Sequence, residues 1–195
     1  MKNLSQREEN ILLLLKKLDF LNRDQLIKLF SLGSVRNANR ILGGMKDYLS
    51  SYREGYQTIY YLNKEGRDYV DSQKVRKKGN YADHCIARND FYIFAGRPAD
   101  WKNEIEVSDG QTTVICDAMF KSKGQGHFLE VDLQQSMAEN RKKIASYKTL
   151  YERGLSIEGK RPTLIWLTAT ELRRKQLTQA CEGLPFKVFT QQDIQ

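Results

Sequence analysis

Asp117, Glu130 and Asp132 are the residues whose types and spacing best suit chemistry. They lie in V-I-C-D and H-F-L-E-V-D, two β-prone runs joined by a Gly-rich turn with Lys121, Gly124 and Gly126, which reads as a hairpin. Side chains alternate faces along a strand, so Glu130 and Asp132 share one face while Leu129, Val131 and Leu133 fill the other. Pairing through that turn lays Asp117 across from them. Three carboxylates at close quarters repel unless a divalent cation or a bound proton joins them. The plain alternative is a structural ion network with Arg141 or Lys143, or capping of the next helix.

The elements that must position these acids follow from the flanking pattern. A helix over Tyr81–Ala95 precedes them, then strands at Asn103–Val107, Thr112–Met119 and His127–Leu133. Ser136 with Glu139 makes a capping box for a helix to about Arg153, with Ile144, Tyr147 and Tyr151 inward. T-L-I-W-L-T at 163–168 reads as a buried parallel strand, followed by a helix over 170–181 and a strand over 186–189.

The chain has 195 residues and a net charge of +8, unevenly spread. Residues 1–80 hold 16 Lys/Arg against 9 Asp/Glu, and residues 81–195 hold 16 against 15. Such asymmetry fits a polyanion-binding module joined to a near-neutral one. The apolar run Ile11–Leu15 is too short for a membrane span, so the protein is expected in the cytoplasm with no membrane partner. Cys85, Cys116 and Cys181 lack C-x-x-C spacing and fit buried reduced thiols rather than a disulfide or zinc site.

In residues 1–71, Ser5 caps a first helix to about Leu18, and Asn22 with Gln25 opens a second. Ser34 starts a third. Its apolar stripe, Val35, Ala38, Ile41, Leu42 and Met45, leaves Arg36, Asn37, Asn39, Arg40 and Lys46 projecting elsewhere. Those side chains suit phosphates and base edges. Leu49–Arg53 and Gln57–Leu62 form a hairpin, and Asn63 caps a closing helix. Residues 72–80 are a basic linker whose Lys74, Arg76, Lys77 and Lys78 are placed to follow a phosphate backbone.

Three helices, a hairpin and a closing helix, with D-Q-L-I-K-L-F, R-x-x-N-R-I-L-x-x-M and I-Y-Y-L-N-K-E-G-R, resemble the winged helix-turn-helix domains of bacterial DNA-binding proteins. That likeness makes the third helix a recognition helix and Arg53–Gln57 the wing tip. The second part, residues 81–195, resembles the PD-(D/E)xK fold of restriction endonucleases, so the expected class is α+β: a winged helix-turn-helix, then a restriction-endonuclease-like α/β domain. This resemblance makes Asp117 and Glu130 candidate catalytic and metal-binding residues for Mg²⁺ or Mn²⁺, with Glu104 or Glu106 as an outer ligand, and the clustering of acids adds Asp132 to the catalytic and metal-binding candidates. It also shows a departure: Asp132 stands where that pattern has Lys, which leaves Lys142 or Lys143 to supply the charge. As a whole the chain is similar to the replication-relaxation family of Gram-positive plasmids, phages and conjugative elements, through Y-Y-L-N-K-E-G-R, H-C-I-A-R-N-D-F-Y, I-C-D-A-M-F, F-L-E-V-D and K-I-A-S-Y-K-T-L-Y. The expectation is a DNA-binding protein of a mobile element, with duplex DNA as partner, a homodimer as its assembly, and an inactive nuclease-like domain. The alternative is a metal-dependent endonuclease.

Overall fold

The computed structural model describes residues 3–79 and 81–195. Asn80, the last residue of the expected linker, lies outside the described residues. The chain is mixed α and β, and divides into two compact units, residues 1–89 and 90–195.

The first unit runs α1 (Gln6–Leu18), β1 (Leu21–Asn22), α2 (Arg23–Phe30), α3 (Val35–Gly43), β2 (Leu49–Glu54), β3 (Gln57–Leu62), α4 (Lys64–Tyr69) and the start of α5 (Tyr81–Phe94). The helix starts are set by side chains. Ser5 with Glu8 and Asn22 with Gln25 form complete capping boxes, and Ser34 and Asn63 cap α3 and α4. β2 and β3 close through Gly55, whose φ of 56° suits the first central position of a two-residue turn. β1 adds a third strand, pairing Leu21 with Tyr60 and Asn22 with Ile59. The core gathers Ile11, Leu12, Leu15, Leu18, Leu26, Ala38, Leu42 and Ile59, all nearly inaccessible.

The unit's end falls later than the linker suggests, because Arg88 and Asn89 on α5 belong to it. Both are fully buried. Asn89 Nδ2 donates to the carbonyls of Leu18 (3.0 Å) and Phe20 (2.7 Å), and Arg88 donates to Leu18 O and to Asp19. These bonds satisfy carbonyls at and just past the end of α1.

The second unit takes in the rest of α5, β4 (Lys102–Ser108), β5 (Thr113–Ser122), β6 (Gln125–Asp132), α6 (Met137–Glu152), β7 (Thr163–Thr168), α7 (Glu171–Ala180), β8 (Phe186–Thr190) and a 3₁₀ turn, Gln191–Ile194. Its sheet is ordered β4-β5-β6-β7-β8, antiparallel from β4 to β6 and parallel from β6 to β8. α6 and α7 are the crossovers of the parallel half and cover one face with Ile144, Tyr147, Leu150 and Leu177 against Phe128, Leu164 and Trp166. On the other face Phe91 and Phe94 of α5 meet Phe189, and Phe91 meets Phe120. Ser136 and Glu139 form the expected capping box at α6.

Candidate nucleic-acid interface and buried carboxylate site

α3 buries Ala38 and Leu42, and Met45 just beyond it, and leaves Val35, Arg36, Asn39, Arg40 and Gly43 exposed along one stripe, with Lys46 exposed past its end. Val35, expected in the core, is 46% exposed. Its place in the first turn puts it one turn before Asn39, on the solvent stripe, and Ala38 and Leu42 make the core contact without it. No carboxylate occurs between Ser34 and Lys46, so the charged side chains of α3 itself are all positive. Asn37 does not project freely: its Nδ2 donates to Leu32 O (2.8 Å) and its Oδ1 accepts from Arg40 Nη2 (3.0 Å). It ties the α2–α3 turn together and orients Arg40. At the tip of the β2–β3 hairpin Arg53 Nε donates to Gly55 O (3.1 Å), stiffening the turn. Tyr56 beside it is 93% exposed, a ring held in water that the sequence pattern did not single out.

The basic run after α4 is less free than its composition suggests. Asp19, only 3% exposed and at the centre of a γ-turn after α1 (φ 71°, ψ −58°), takes an ion pair from Arg76 at 3.0 Å, one from Lys74 at 3.7 Å and one from buried Arg88 at 3.2 Å. Arg76 also lies over the Tyr81 ring at 5.0 Å, and Lys78 over Tyr52 at 5.2 Å. A buried carboxylate must be paired, and Asp19 recruits the linker to do it. Lys77 is exposed.

The acids of the second unit separate into two sets. The β5–β6 ladder runs as far as Ala118 opposite Leu129, so the next step sets Asp117 across from Glu130. There the carboxylate replaces a ladder bond, as Asp117 Oδ2 accepts from Val131 N at 2.7 Å. The β4–β5 ladder also skips Asp117, opposite which Glu104 takes a φ of 53°. Glu130 is 1% exposed. Tyr147 Oη donates to its Oε1 (2.6 Å) and Lys143 Nζ to its Oε2. Lys143 and Tyr147 stand one turn apart on α6, so both reach the same carboxyl. Burial, and then the Asp117 charge, push Glu130 up to about 8, against the pull of Lys143 and Tyr147. Burial alone would lower Lys143, but Glu130 and Asp117 outweigh it and hold the ammonium protonated. Glu130 therefore holds a proton more tightly than an exposed carboxyl does, within a coupled group that includes Lys143 and Asp117.

Asp132 belongs elsewhere. It is 1% exposed, paired with Arg173 Nε at 2.9 Å, and accepts from Thr168 Oγ1 at 3.3 Å. Arg173 also donates to Gln135 O, so this pair fastens α7 to the segment leading into α6. Among the described residues no group of three or more His, Cys, Asp or Glu side chains is placed to hold a metal ion. The three-carboxylate set expected from spacing alone is thus two plus one. Asp117 and Glu130 face each other across β5 and β6 and are hard oxygen donors, the donor type that divalent ions take. Asp132, neutralised by Arg173, is not part of that pair. The three cysteines are buried and free. No helix among the described residues is long and apolar enough to cross a membrane.

Two solved structures resemble the chain over 95% of its length at low similarity. Protein VC1899 from Vibrio cholerae is 15% identical with a TM-score of 0.41, and Can2 from Sulfobacillus thermosulfidooxidans in complex with cyclic tetra-adenylate is 12% identical with a TM-score of 0.35. The match takes in 46% and 52% of those chains, so this chain spans about half their length. No curated protein matches it. The replication-relaxation family profile matches residues 12–163, running from α1 through both units to the start of β7, and the chain belongs to that family.

Proposed function

We propose that the protein binds duplex DNA through a winged helix-turn-helix formed by residues 1–71, with α3 as recognition helix and the β2–β3 hairpin as wing. Its role would be in replication, mobilisation or transcriptional control of a plasmid, phage or other mobile element. Family membership fits a mobile-element replication or mobilisation role. The observation that carries the DNA reading is the α3 stripe: Val35, Arg36, Asn39 and Arg40, exposed together on a capped helix without a carboxylate. Arg and Asn are the donors that read guanine and adenine edges, and an exposed aliphatic group suits a thymine methyl. Lys46, Arg53 and Lys77 supply phosphate contacts, and Tyr56 stacks at the wing tip. Asn37 acts by holding Arg40 and the turn, and Lys74, Arg76 and Lys78 act mainly by fastening the segment after α4. A homodimer on paired half-sites is part of the proposal, to be read as two protomers per duplex by sedimentation. Arg36→Ala with Arg40→Ala should weaken duplex binding at least tenfold at moderate salt, on the scale of one to two lost base or phosphate contacts. Unchanged affinity sinks the reading.

The Lys143 contact favours a second reading, metal-dependent cleavage of DNA. Asp117 and Glu130 would hold Mg²⁺ or Mn²⁺, which would neutralise the scissile phosphate and acidify a water. Lys143 brings to Glu130 the positive charge that Asp132 cannot supply, and Tyr147 fixes the carboxyl. Cleavage with Mn²⁺ that is lost in Asp117→Ala and in Lys143→Met supports it; cleavage surviving Asp117→Ala and Glu130→Ala sinks it.

A further inference from the structure

One end of the five-stranded sheet collects cations that neither reading uses. The β5–β6 turn places Lys123 and Gly124 at φ 50° and 71°, and the segment before β7 makes a second tight turn, bridging Ile157 to Lys160 with Glu158 and Gly159 at φ 51° and 76°. Positive φ at both central residues is the two-residue turn that matches strand twist. The two turns are locked to each other. Gln125 Nε2 donates to Arg161 O (2.6 Å), Lys160 Nζ donates to Gly124 O (3.1 Å), and Lys121 pairs with Glu158. Gly126 lies so close to Ile157 that a Cβ would come within 2.7 Å of its Cδ1.

This interlock fixes the backbone that carries Lys121, Lys123, Lys160 and Arg161, and Lys102 opens β4 at the same end of the sheet. All but Lys121 are exposed. The carboxylates among them are Glu158, spent on Lys121, and Asp100, whose Oδ1 accepts from Lys121 N (3.2 Å). Residues 81–195 are nearly neutral, with 16 Lys/Arg against 15 Asp/Glu, so the clustering is local. A rigid, cation-rich platform of backbone turns attracts a polyanion.

We propose that this end of the sheet is a second phosphate-contact surface for duplex DNA, separate from α3 and from the Asp117–Glu130 pair. It deepens the DNA-binding reading and rests on it. The test is fluorescence anisotropy of the full chain on a mixed-sequence duplex across a potassium chloride series, comparing wild type, Lys123→Gln/Arg161→Gln and Arg36→Ala/Arg40→Ala. Both exchanged turn residues are exposed side chains, so folding is retained and is checked by tryptophan fluorescence. The turn pair should lower affinity about fivefold or more at moderate salt and flatten the log–log salt slope by about 2, since each lost phosphate contact removes roughly 0.9. Wild-type affinity and slope in the turn pair, with the α3 pair impaired, overturn this surface and leave the α3 reading standing. Loss in the turn pair with the α3 pair silent upholds this surface and overturns α3. Failure of the wild type to bind any duplex overturns both.

Discussion

Replacing Glu130 by Gln keeps the size of the side chain and its reach to Tyr147 and Lys143, and removes the proton-binding group. In the folded protein Glu130 is pushed from an ordinary 4.5 up to about 8 by burial and by Asp117. A carboxyl raised in this way stabilises the fold fully below its unfolded value, and the contribution is lost as pH climbs through its folded value. At about 1.36 kcal/mol for each tenfold change in proton affinity, the two values imply a loss of about 3 kcal/mol between about pH 5 and pH 7.5. His127 works in the opposite sense. Burial, and then Lys187, lower it, so its contribution is present above its ordinary 6.5 and is lost as pH falls. His127 is common to both proteins, and the difference between them isolates Glu130. The assay is urea unfolding followed by tryptophan fluorescence, because Trp101 and Trp166 both lie, buried, in residues 90–195. Glu130→Gln should gain about 3 kcal/mol on wild type across that window. Parallel pH profiles would refute the raised proton affinity of Glu130.

Asp132→Ala leaves Arg173 without its carboxylate and opens a buried gap between β6 and α7. It should cost about 3–5 kcal/mol of unfolding free energy by the same assay, a structural rather than catalytic penalty. Gly66→Ala would set a Cβ 2.1 Å from the Tyr48 carbonyl oxygen, a backbone atom that cannot swing aside. A loss of about 3 kcal/mol, measured by far-ultraviolet circular dichroism in urea, is expected of such overpacking. Asn37→Ala removes the bond to Leu32 O and frees Arg40, so it should destabilise by about 1 kcal/mol. It should also weaken duplex binding less than Arg36→Ala with Arg40→Ala does.

Local chemistry carried most of the architecture into view. The capping boxes at Ser5, Asn22 and Ser136 mark helix starts because Glu or Gln three residues on closes them, a short-range signal. The alternation through H-F-L-E-V-D put Glu130 and Asp132 on one face for the same reason. Pairings over long separations were not legible. β1 is a strand of two residues that exists because Tyr60 and Ile59 lie beside it. Asp132 meets Arg173, 41 positions on, and no spacing rule reports that contact. Lys143 rather than Lys142 reaches Glu130 because it shares a helix face with Tyr147, a phase visible only once α6 is laid on the sheet. Asp19, which no sequence motif marks, pairs with Lys74 and Arg76 of the basic segment across more than fifty positions, and no composition rule reports that contact.

The most direct test of the central claim is proximity of α3 to bound DNA. Burial holds the native thiols high, Cys85 up to about 11 and Cys116 and Cys181 up to about 12, so they react slowly with alkylating labels. A cysteine placed at exposed Val35 can therefore carry a photo-crosslinking label selectively. Leu13→Cys, at a site 52% exposed on α1, is the control. Labelled Val35→Cys should crosslink to duplex DNA on illumination, in competition with unlabelled duplex, while Leu13→Cys stays largely uncrosslinked. Intact DNA binding with equal crosslinking from both sites, or with none from position 35, would contradict the assignment of α3 as the DNA-reading helix.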